Sequence, residues 1–178
     1  MNRVLVTGAS GGIGTAIASV LAARRATIVL HYQSNRAAAE ASLRSLAGSG
    51  HELLQADLTD PAAIERLWHD ADARHPINAV VNNAGIFPNH PPLTTDYTAW
   101  TAAWQRTLAI NLSGPAYLSW FAARAMAERS GGRIVSVSSR SAFRGEPVAP
   151  AYAASKAGLN AFSQSMAKAL APKGVYVF

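Results

Sequence analysis

The sequence has 178 residues, of which 49% are hydrophobic and 15% charged, which excludes a disordered chain and fits one domain over residues 1–178. Its 16 Lys and Arg outnumber 10 Asp and Glu, but the cations are scattered and do not alternate with aromatics, which argues against nucleic-acid binding. The chain has no cysteine, no signal-peptide pattern and no run near the roughly 18 apolar residues of a membrane span, so we expect a cytoplasmic protein with no membrane partner.

Short apolar segments alternate with helical patterns along the whole chain. The strand-like segments lie at residues 4–7, 27–32, 52–57, 79–83, 133–139 and 175–178. The helical patterns lie at about residues 13–24, 36–47, from 60 onward, 96–129 and 151–171. This alternation predicts an α/β fold of the Rossmann type, a doubly wound parallel sheet with helices on both faces.

A glycine-rich turn, TGASGGIG, joins the first strand to the first helix. Gly8, Gly12 and Gly14 stand where a backbone must turn sharply and approach a ligand, before a helix N-terminus that favours phosphate. The spacing is G-x-x-x-G-x-G, not the commoner G-x-G-x-x-G, and a plain tight turn is the alternative. Its place directly after a first strand favours dinucleotide binding.

A tyrosine and a lysine lie four residues apart in YAASK, so a helix places Tyr152 and Lys156 on one face. An amphipathic helix explains such a pair simply, with the Tyr packed on the core and the Lys extended to water. The other explanation is chemical. A free tyrosine has a pKa of about 10, and a nearby ammonium group lowers the pKa of a phenol towards neutral pH, where acid–base catalysis is most efficient.

Six motifs, in order, resemble those of the short-chain dehydrogenases/reductases. They are TGASGGIG, the acid in ADLTD, NNAG at residues 82–85, Asn111, SVSS ending at Ser139, and YAASK, with Ser139 thirteen residues before Tyr152. Within the family, the chain looks most like the 3-oxoacyl-(acyl carrier protein) reductase and the sugar- or polyol-dehydrogenase group. The resemblance implies an NAD(P)(H)-dependent oxidoreductase that interconverts a small-molecule carbonyl and alcohol by hydride transfer.

The resemblance also implies four catalytic residues. Tyr152 would exchange a proton with the substrate carbonyl oxygen, and Ser139, at the carboxyl end of the fifth strand, would hydrogen-bond the same oxygen. Lys156 would tune Tyr152 and hold the nicotinamide ribose. Asn111 would anchor a water relay that resupplies the proton, and a buried amide at a helix kink is its alternative or accompanying role.

Most of the implied cofactor-binding residues follow the ends of the first four strands, and two of them, Tyr152 and Lys156, belong to YAASK. Asp57 would meet the adenine amino group unless it is a turn or cap residue. Residues 83–85 would let the backbone approach the adenine-side ribose, while Asn82 would tie neighbouring strands together. The full set is Gly8, Ser10, Gly12, Ile13, Gly14, Ser34, Asn35, Arg36, Asp57, Leu58, Asn83, Ala84, Gly85, Tyr152 and Lys156.

The end of the second strand bears on the choice of cofactor. NAD-specific sites place a carboxylate about 20 residues past the glycines, but no Asp or Glu occurs here before Glu40. Ser34, Asn35 and Arg36 are placed to contact a 2′-phosphate instead. Gly11 argues against a preference for NADP, since many NADP-preferring relatives carry a basic residue at this position. We expect NADP(H) to be preferred and NAD(H) to be usable.

Other polar residues give weaker indications. The histidines at positions 31, 51, 69, 75 and 90 are too dispersed for a metal site, so we expect no metal and interpret them as structural or solvated. Arg140 and Arg144 follow Ser139 closely and are candidates to meet an anionic substrate tail. Such arginines are more often solvated or paired with an acid such as Glu146.

Two helices carry rows of apolar residues that predict an assembly. Relatives pair the helix that holds Asn111 and the YAASK helix across a twofold axis, which implies a homodimer or homotetramer. Packing within one subunit is the alternative for several of these residues. They are Trp100, Trp104, Leu108, Leu118, Phe121 and Phe162.

The sequence stops at VYVF, inside the expected sixth strand. Family members continue with a turn that contacts the nicotinamide, a substrate lid and a seventh strand, very roughly 60 to 80 residues in all. We therefore expect the C-terminal strands and the lid to be missing from the 178 residues. The alternative function is a non-catalytic nucleotide-sensing or scaffold protein, against which the presence of Ser139 and Tyr152 argues.

Overall fold

A parallel sheet forms the centre of the computed structural model, which describes residues 2–129 and 131–178. Met1 and Ser130, which the expected unit 1–178 includes, lie outside the described residues. The described residues form six strands in the order β3-β2-β1-β4-β5-β6. These are β1 Arg3–Val6, β2 Thr27–Tyr32, β3 Glu52–Gln55, β4 Ala79–Asn82, β5 Gly132–Ser136 and β6 Val175–Val177.

Helices cover both faces of the sheet. They are α1 Gly12–Ala23, α2 Arg36–Arg44, α3 Pro61–Ala73, α4 Tyr97–Leu108, α5 Gly114–Ala127, α6 Ser141–Arg144 and α7 Pro150–Leu170. A π-helical segment, Ala109–Ser113, joins α4 to α5, and a 3₁₀ turn, Ala171–Lys173, joins α7 to β6. Among the described residues, none of the helices combines the length and apolarity that a membrane crossing requires.

The two faces of the sheet bury two apolar clusters, because successive side chains of a strand point to opposite faces. Leu5 of β1 lies in the cluster under α3 and α5, with Trp68 and Leu118. Its neighbours Val4 and Val6 lie in the other cluster, which packs against α1. The predicted α/β fold, a doubly wound parallel sheet with helices on both faces, is confirmed.

The helical region expected over residues 96–129 extends from Tyr97 to Ala127, but its middle part is a π-helix and not an α-helix. At the π-helical segment the Gly114 amide bonds to the Ala109 carbonyl, five residues back. Pro115 follows and has no N–H to offer the Asn111 carbonyl, the partner that an α-helix would use. The wide turn therefore falls at Asn111.

The fifth strand is also shorter than expected. It ends at Ser136, so Ser139 lies in the loop beyond it and not at the strand end. The Val137 carbonyl accepts a hydrogen bond from Lys156, where a continuing strand would pair with its neighbour. The short helix α6, which was not expected, begins two residues after Ser139.

Candidate active site

A cavity of about 420 Å³ opens at the carboxyl ends of β1 to β4, where the strand order reverses between β1 and β4. This is the crevice in which open α/β sheets hold ligands. We refer to it as the switch-point cavity. Its lining is Gly8, Ser10, Gly11, Gly12, Ile13, Gly14, His31, Gln33, Ser34, Asn35, Asp57, Leu58, Asn83, Ala84, Gly85, Ile86 and Ile110.

The glycine-rich turn forms one wall of this cavity. Gly8 has φ +66°, and a Cβ there would lie 2.8 Å from the Ala84 Cα. A Cβ on Gly14 would lie 2.3 Å from the Gly8 carbonyl oxygen, so both positions require glycine. Gly12 is different, because a Cβ there would meet no atom within 4 Å. The first turn of α1 has no side-chain cap and leaves amide groups free for a ligand.

The buried side chain of His31 is hydrogen-bonded to the glycine-rich turn. Its Nδ1 accepts a hydrogen bond from the Gly8 amide at 3.2 Å. Its Nε2 lies 3.1 Å from the Ala56 carbonyl oxygen, which accepts only, so Nε2 carries the proton. Burial lowers the pKa of His31 to about 4, although the Ala56 hydrogen bond and the Asp57 charge raise it. His31 is therefore a neutral link between β1 and β3, which agrees with its interpretation as structural.

Asn83 joins the ends of β1 and β4 beside the cavity. Its Nδ2 donates to the Thr7 carbonyl at 2.8 Å and the Gly8 carbonyl at 3.2 Å. The side chain of Asn82 donates instead to Ser119 Oγ on α5, at 3.0 Å. The expectation that Asn82 ties neighbouring strands was therefore wrong for its side chain, because that side chain faces the helix layer. The tie belongs to Asn83.

Tyr152 and Lys156 share one face of α7, as their spacing predicts. The Lys156 Nζ lies 5.8 Å from the centroid of the Tyr152 ring and donates to the Val137 carbonyl at 2.7 Å. Only 4% of Lys156 is exposed, so the simple picture of a lysine extended to water is wrong. A Cβ on Gly85 would lie 3.7 Å from Nζ, which puts the ammonium group against the wall of the switch-point cavity.

Asn111 connects this wall to α7. Its Oδ1 accepts from the Ile86 amide at 2.9 Å, and its Nδ2 donates to the Ile86 carbonyl at 3.0 Å. The same Nδ2 donates to Ser155 Oγ at 3.2 Å, and Ser155 Oγ donates to the Tyr152 carbonyl at 2.7 Å. Asn111 is fully buried and thus has the structural role named as its alternative. Ser155 is a functional-site residue that was not predicted, because its hydrogen bond to Asn111 spans 44 residues and leaves no pattern in the nearby sequence.

Comparison with known proteins identifies this arrangement. The family model described as short chain dehydrogenase matches residues 2–178. The chain belongs to the short-chain dehydrogenase family. The 3-oxoacyl-(acyl-carrier-protein) reductase of Escherichia coli strain K12 is 36% identical over 174 residues, which cover 97% of this chain and 69% of that protein. The corresponding reductase of a Synechocystis species is 33% identical over 176 residues, covering 97% and 70%.

A solved structure agrees with these relatives. A short-chain dehydrogenase from Sphingobium yanoikuyae, in complex with NADPH, matches with a TM-score of 0.86 and 30% identity. The match covers 99% of this chain and 68% of that one. The resemblance found from the motifs is confirmed, including its similarity to 3-oxoacyl-(acyl-carrier-protein) reductases. The protein is therefore an NAD(P)-dependent oxidoreductase of this family.

In this short-chain dehydrogenase, Asp57 is both a turn residue and part of the cavity wall. Its Oδ1 accepts from the amide and the hydroxyl of Thr59, each at 2.9 Å. The Thr59 amide is the main cause that lowers the pKa of Asp57. The alternative of a turn residue thus describes what Asp57 does in the fold, and its place in the lining leaves it available to a ligand.

Of the three residues expected at a 2′-phosphate, two lie at the cavity and one does not. Ser34 and Asn35 line the switch-point cavity. Asn35 also accepts from the Ala38 amide at 3.0 Å and so caps α2. Arg36 is not among the lining residues, because its guanidinium pairs with Glu40 at 2.8 Å on the exposed surface of α2.

Ser139 lines a second cavity of about 470 Å³, together with Phe143 of α6 and Phe178. Its Oγ accepts from the Ser141 amide at 3.1 Å, at the start of α6. The ring of Phe87 packs edge-on against the ring of Tyr152, with ring centroids 4.7 Å apart and an interplanar angle of 65°. Among the described residues, His, Asp and Glu form no group of three that could hold a metal ion.

Proposed function

We propose that this short-chain dehydrogenase interconverts a carbonyl and an alcohol on a small-molecule substrate, with Tyr152 as proton donor and acceptor and NADP(H) as the preferred cofactor. The observation that carries the proposal is the buried Lys156. Its ammonium group lies between Tyr152 on α7 and Gly85 on the wall of the switch-point cavity. A buried ammonium group beside a phenol and a nucleotide-sized cavity serves proton transfer better than it serves stability.

The residues of the switch-point cavity fit a dinucleotide. The free amides at the start of α1 suit a pyrophosphate, and the open space at Gly12 lets it approach the backbone. The cofactor set proposed for this cavity runs from the glycine-rich turn through Ser34 and Asn35 to Asp57, Leu58 and residues 83–85. Arg36 is supported less well, because it pairs with Glu40.

The bound nicotinamide would supply or accept a hydride at the reacting carbon. Tyr152 would give its hydroxyl proton to the carbonyl oxygen in reduction and take it back in oxidation. Ser139 would donate a hydrogen bond to the same oxygen and stabilise its developing charge. Lys156 has three N–H donors and gives one to Val137, so others remain for the nicotinamide ribose.

The preference for NADP(H) is supported by the end of β2. Gln33, Ser34 and Asn35 line the cavity there, and none of them carries a negative charge. In the described lining, Asp57 supplies the one carboxylate, and it follows β3. The NADPH complex of the Sphingobium yanoikuyae relative is consistent with this choice.

We also propose that residues 1–178 act as one dinucleotide-binding unit in the cytoplasm, as a homodimer or homotetramer. The exposed Tyr117 and Trp120 of α5 support an assembly, since they are 46% and 53% exposed. Leu118, which was expected on the same surface, is 1% exposed and belongs to the core. Its place there agrees with the alternative of packing within one subunit.

Turnover of NADPH with a panel of ketones and 3-oxoacyl thioesters tests the function. We expect absorbance at the nicotinamide band to fall with at least one carbonyl class. Cofactor binding without any turnover would instead favour a nucleotide-sensing or scaffold protein. Gel filtration with light scattering tests the assembly, which a monomeric mass at micromolar concentration would exclude.

A further inference from the structure

The first turn of α7, which carries Tyr152, needs a hydrogen-bond acceptor that its own residues do not supply. Ala149, which precedes the helix, has no polar side chain to cap it. Pro150 has no N–H. The amides of Tyr152 and Ala153 both bond to the Ala149 carbonyl, at 3.0 and 3.4 Å. The Ala151 amide is left over, and Ala151 is fully buried, so bulk water does not serve it.

The acceptor comes from His90, which is 61 residues earlier and fully buried. The Ala151 amide donates to His90 Nε2 at 3.2 Å. The other ring nitrogen, Nδ1, lies 2.8 Å from the Pro88 carbonyl oxygen. Because a carbonyl oxygen only accepts, Nδ1 must carry the proton and Nε2 keeps its lone pair for Ala151. The neutral imidazole therefore caps α7 in place of the missing side chain at Ala149.

Further contacts hold the segment of His90 against the start of α7. The His90 amide donates to the Val148 carbonyl at 2.8 Å. The ring of Phe87 packs edge-on against the Tyr152 ring, at 4.7 Å between centroids. On the far side, the His90 ring meets Trp100 of α4 edge-on at 6.1 Å. His90 thus stands between α4 and the helix start that sets the position of the Tyr152 phenol.

We infer that His90 is a positioning residue for Tyr152, acting through the Ala151 amide. The inference rests on the proposed function, in which Tyr152 transfers the proton. Without an acceptor, the buried Ala151 amide would be unsatisfied and the first turn of α7 would shift to find a partner. Proton transfer is sensitive to such displacements of the reacting group. His90 does not line the switch-point cavity, so cofactor affinity should not change.

Two substitutions of His90 distinguish the effect of its hydrogen-bond acceptor from the effect of its ring packing. His90→Phe keeps a ring against Trp100 but has no acceptor, whereas His90→Gln loses the ring but places an oxygen near the position of Nε2. We expect kcat to fall roughly 10- to 100-fold in the Phe variant, with the cofactor KM within about twofold of wild type. The Gln variant should keep kcat within about threefold. His75→Phe and His75→Gln, on an exposed histidine, are matched controls and should match the wild type.

Several outcomes would overturn the inference. They are an unchanged kcat in His90→Phe, a Gln variant as slow as the Phe variant, or an equal loss of kcat and cofactor affinity. If His90→Phe does not fold, His90→Asn replaces it, because the shorter amide reaches only the position of Nδ1, where it can donate to Pro88, and leaves no acceptor at the position of Nε2. It should be as slow as expected for Phe.

Amide hydrogen exchange at Ala151 provides a readout that needs no turnover. We expect exchange to accelerate in His90→Phe, or in His90→Asn if the Phe variant does not fold, and to stay slow in His90→Gln. If the wild type has no turnover with any carbonyl, the proposed function fails, while this measurement still tests the cap. Equal exchange in all variants would show that His90 does not protect Ala151.

Discussion

The Lys156 ammonium group donates a hydrogen bond to the Val137 carbonyl oxygen at 2.7 Å, at a site where 4% of the lysine is exposed. This bond joins α7 to the segment that follows β5. Burial lowers the pKa of Lys156, because the interior solvates a charge less well than water does. The carbonyl dipole offsets part of that cost. A buried cation at the cavity wall is a feature that needs a function to explain it.

Lys156→Met keeps the length of the side chain and removes the ammonium group. If Lys156 supports proton transfer and holds the ribose, we expect kcat to fall by about 100-fold or more. The melting temperature should change little, because the lost hydrogen bond to Val137 is balanced by the relief of a buried charge. Lys168→Met, on the exposed surface of α7, is the matched control. Normal turnover in the Lys156 variant would contradict the role assigned to the lysine.

Tyr152→Phe removes the phenolic hydroxyl and keeps the ring that packs against Phe87. We expect turnover to fall by about 100- to 10,000-fold, since the transferable proton is lost. Cofactor binding, measured by NADPH fluorescence, should persist. Tyr97→Phe, on an 80% exposed residue of α4, should be neutral. A Tyr152 variant that reduces carbonyls at the wild-type rate would show that the assigned mechanism is wrong.

Two alanine substitutions in the glycine-rich turn should affect different properties, one the stability of the fold and the other the binding of the cofactor. A methyl group on Gly14 would collide with the Gly8 carbonyl, so Gly14→Ala should lower the free energy of unfolding by about 1–3 kcal/mol. A methyl group on Gly12 meets open space, so Gly12→Ala should fold normally and weaken cofactor binding. Thermal melting and NADPH titration distinguish the two. Equal loss of stability in both variants would contradict this reading of the turn.

Ser34→Asp tests the proposed site of the 2′-phosphate. A carboxylate at this cavity residue would repel the phosphate, so we expect the NADPH dissociation constant to rise roughly tenfold or more. NADH binding should be weakened less or improved. Ser49→Asp makes the same charge change at an exposed position outside the lining. Tighter binding of NADH than of NADPH by the wild type would reject the preference itself.

His31 should make stability depend on pH. Its pKa is lowered from the model-peptide value of 6.5 to about 4 in the fold. The unfolded chain therefore binds more protons between these values, and stability rises with pH across that window. The effect is at most about 3 kcal/mol, lost progressively as the pH falls from 6.5 towards 4. Urea titrations at a series of pH values in this window measure the free energy of unfolding of wild type and His31→Gln. It should rise more steeply with pH in the wild type, and an equal pH dependence in both proteins would contradict the role assigned to His31.

Much of the fold could be predicted because its signals are local. The signal for β2 is its short run of apolar and β-branched residues, and β2 begins and ends where expected, at Thr27–Tyr32. Asp60 and Pro61 likewise begin α3 through a cap that bonds to Ala62. One boundary error falls where a distant residue takes part. The strand expected to reach Ser139 ends at Ser136, and the next carbonyl, that of Val137, accepts from Lys156 of α7 and not from a neighbouring strand.

The sequence by itself determined the family and the parallel sheet and predicted much of the cavity lining, because motif spacing and periodicity are properties of the chain. Arg36 was expected in the lining and lies outside it, while Gln33 and Ile86 line the cavity and were not predicted. Only the tertiary structure decided which partners the buried polar groups have. The bond of His31 to Gly8, the bonds of Asn111 to Ile86 and the cap of Ala151 by His90 span 23, 25 and 61 residues. A buried donor takes whichever acceptor the packing of the layers brings within reach, and that choice leaves no pattern in the neighbouring sequence.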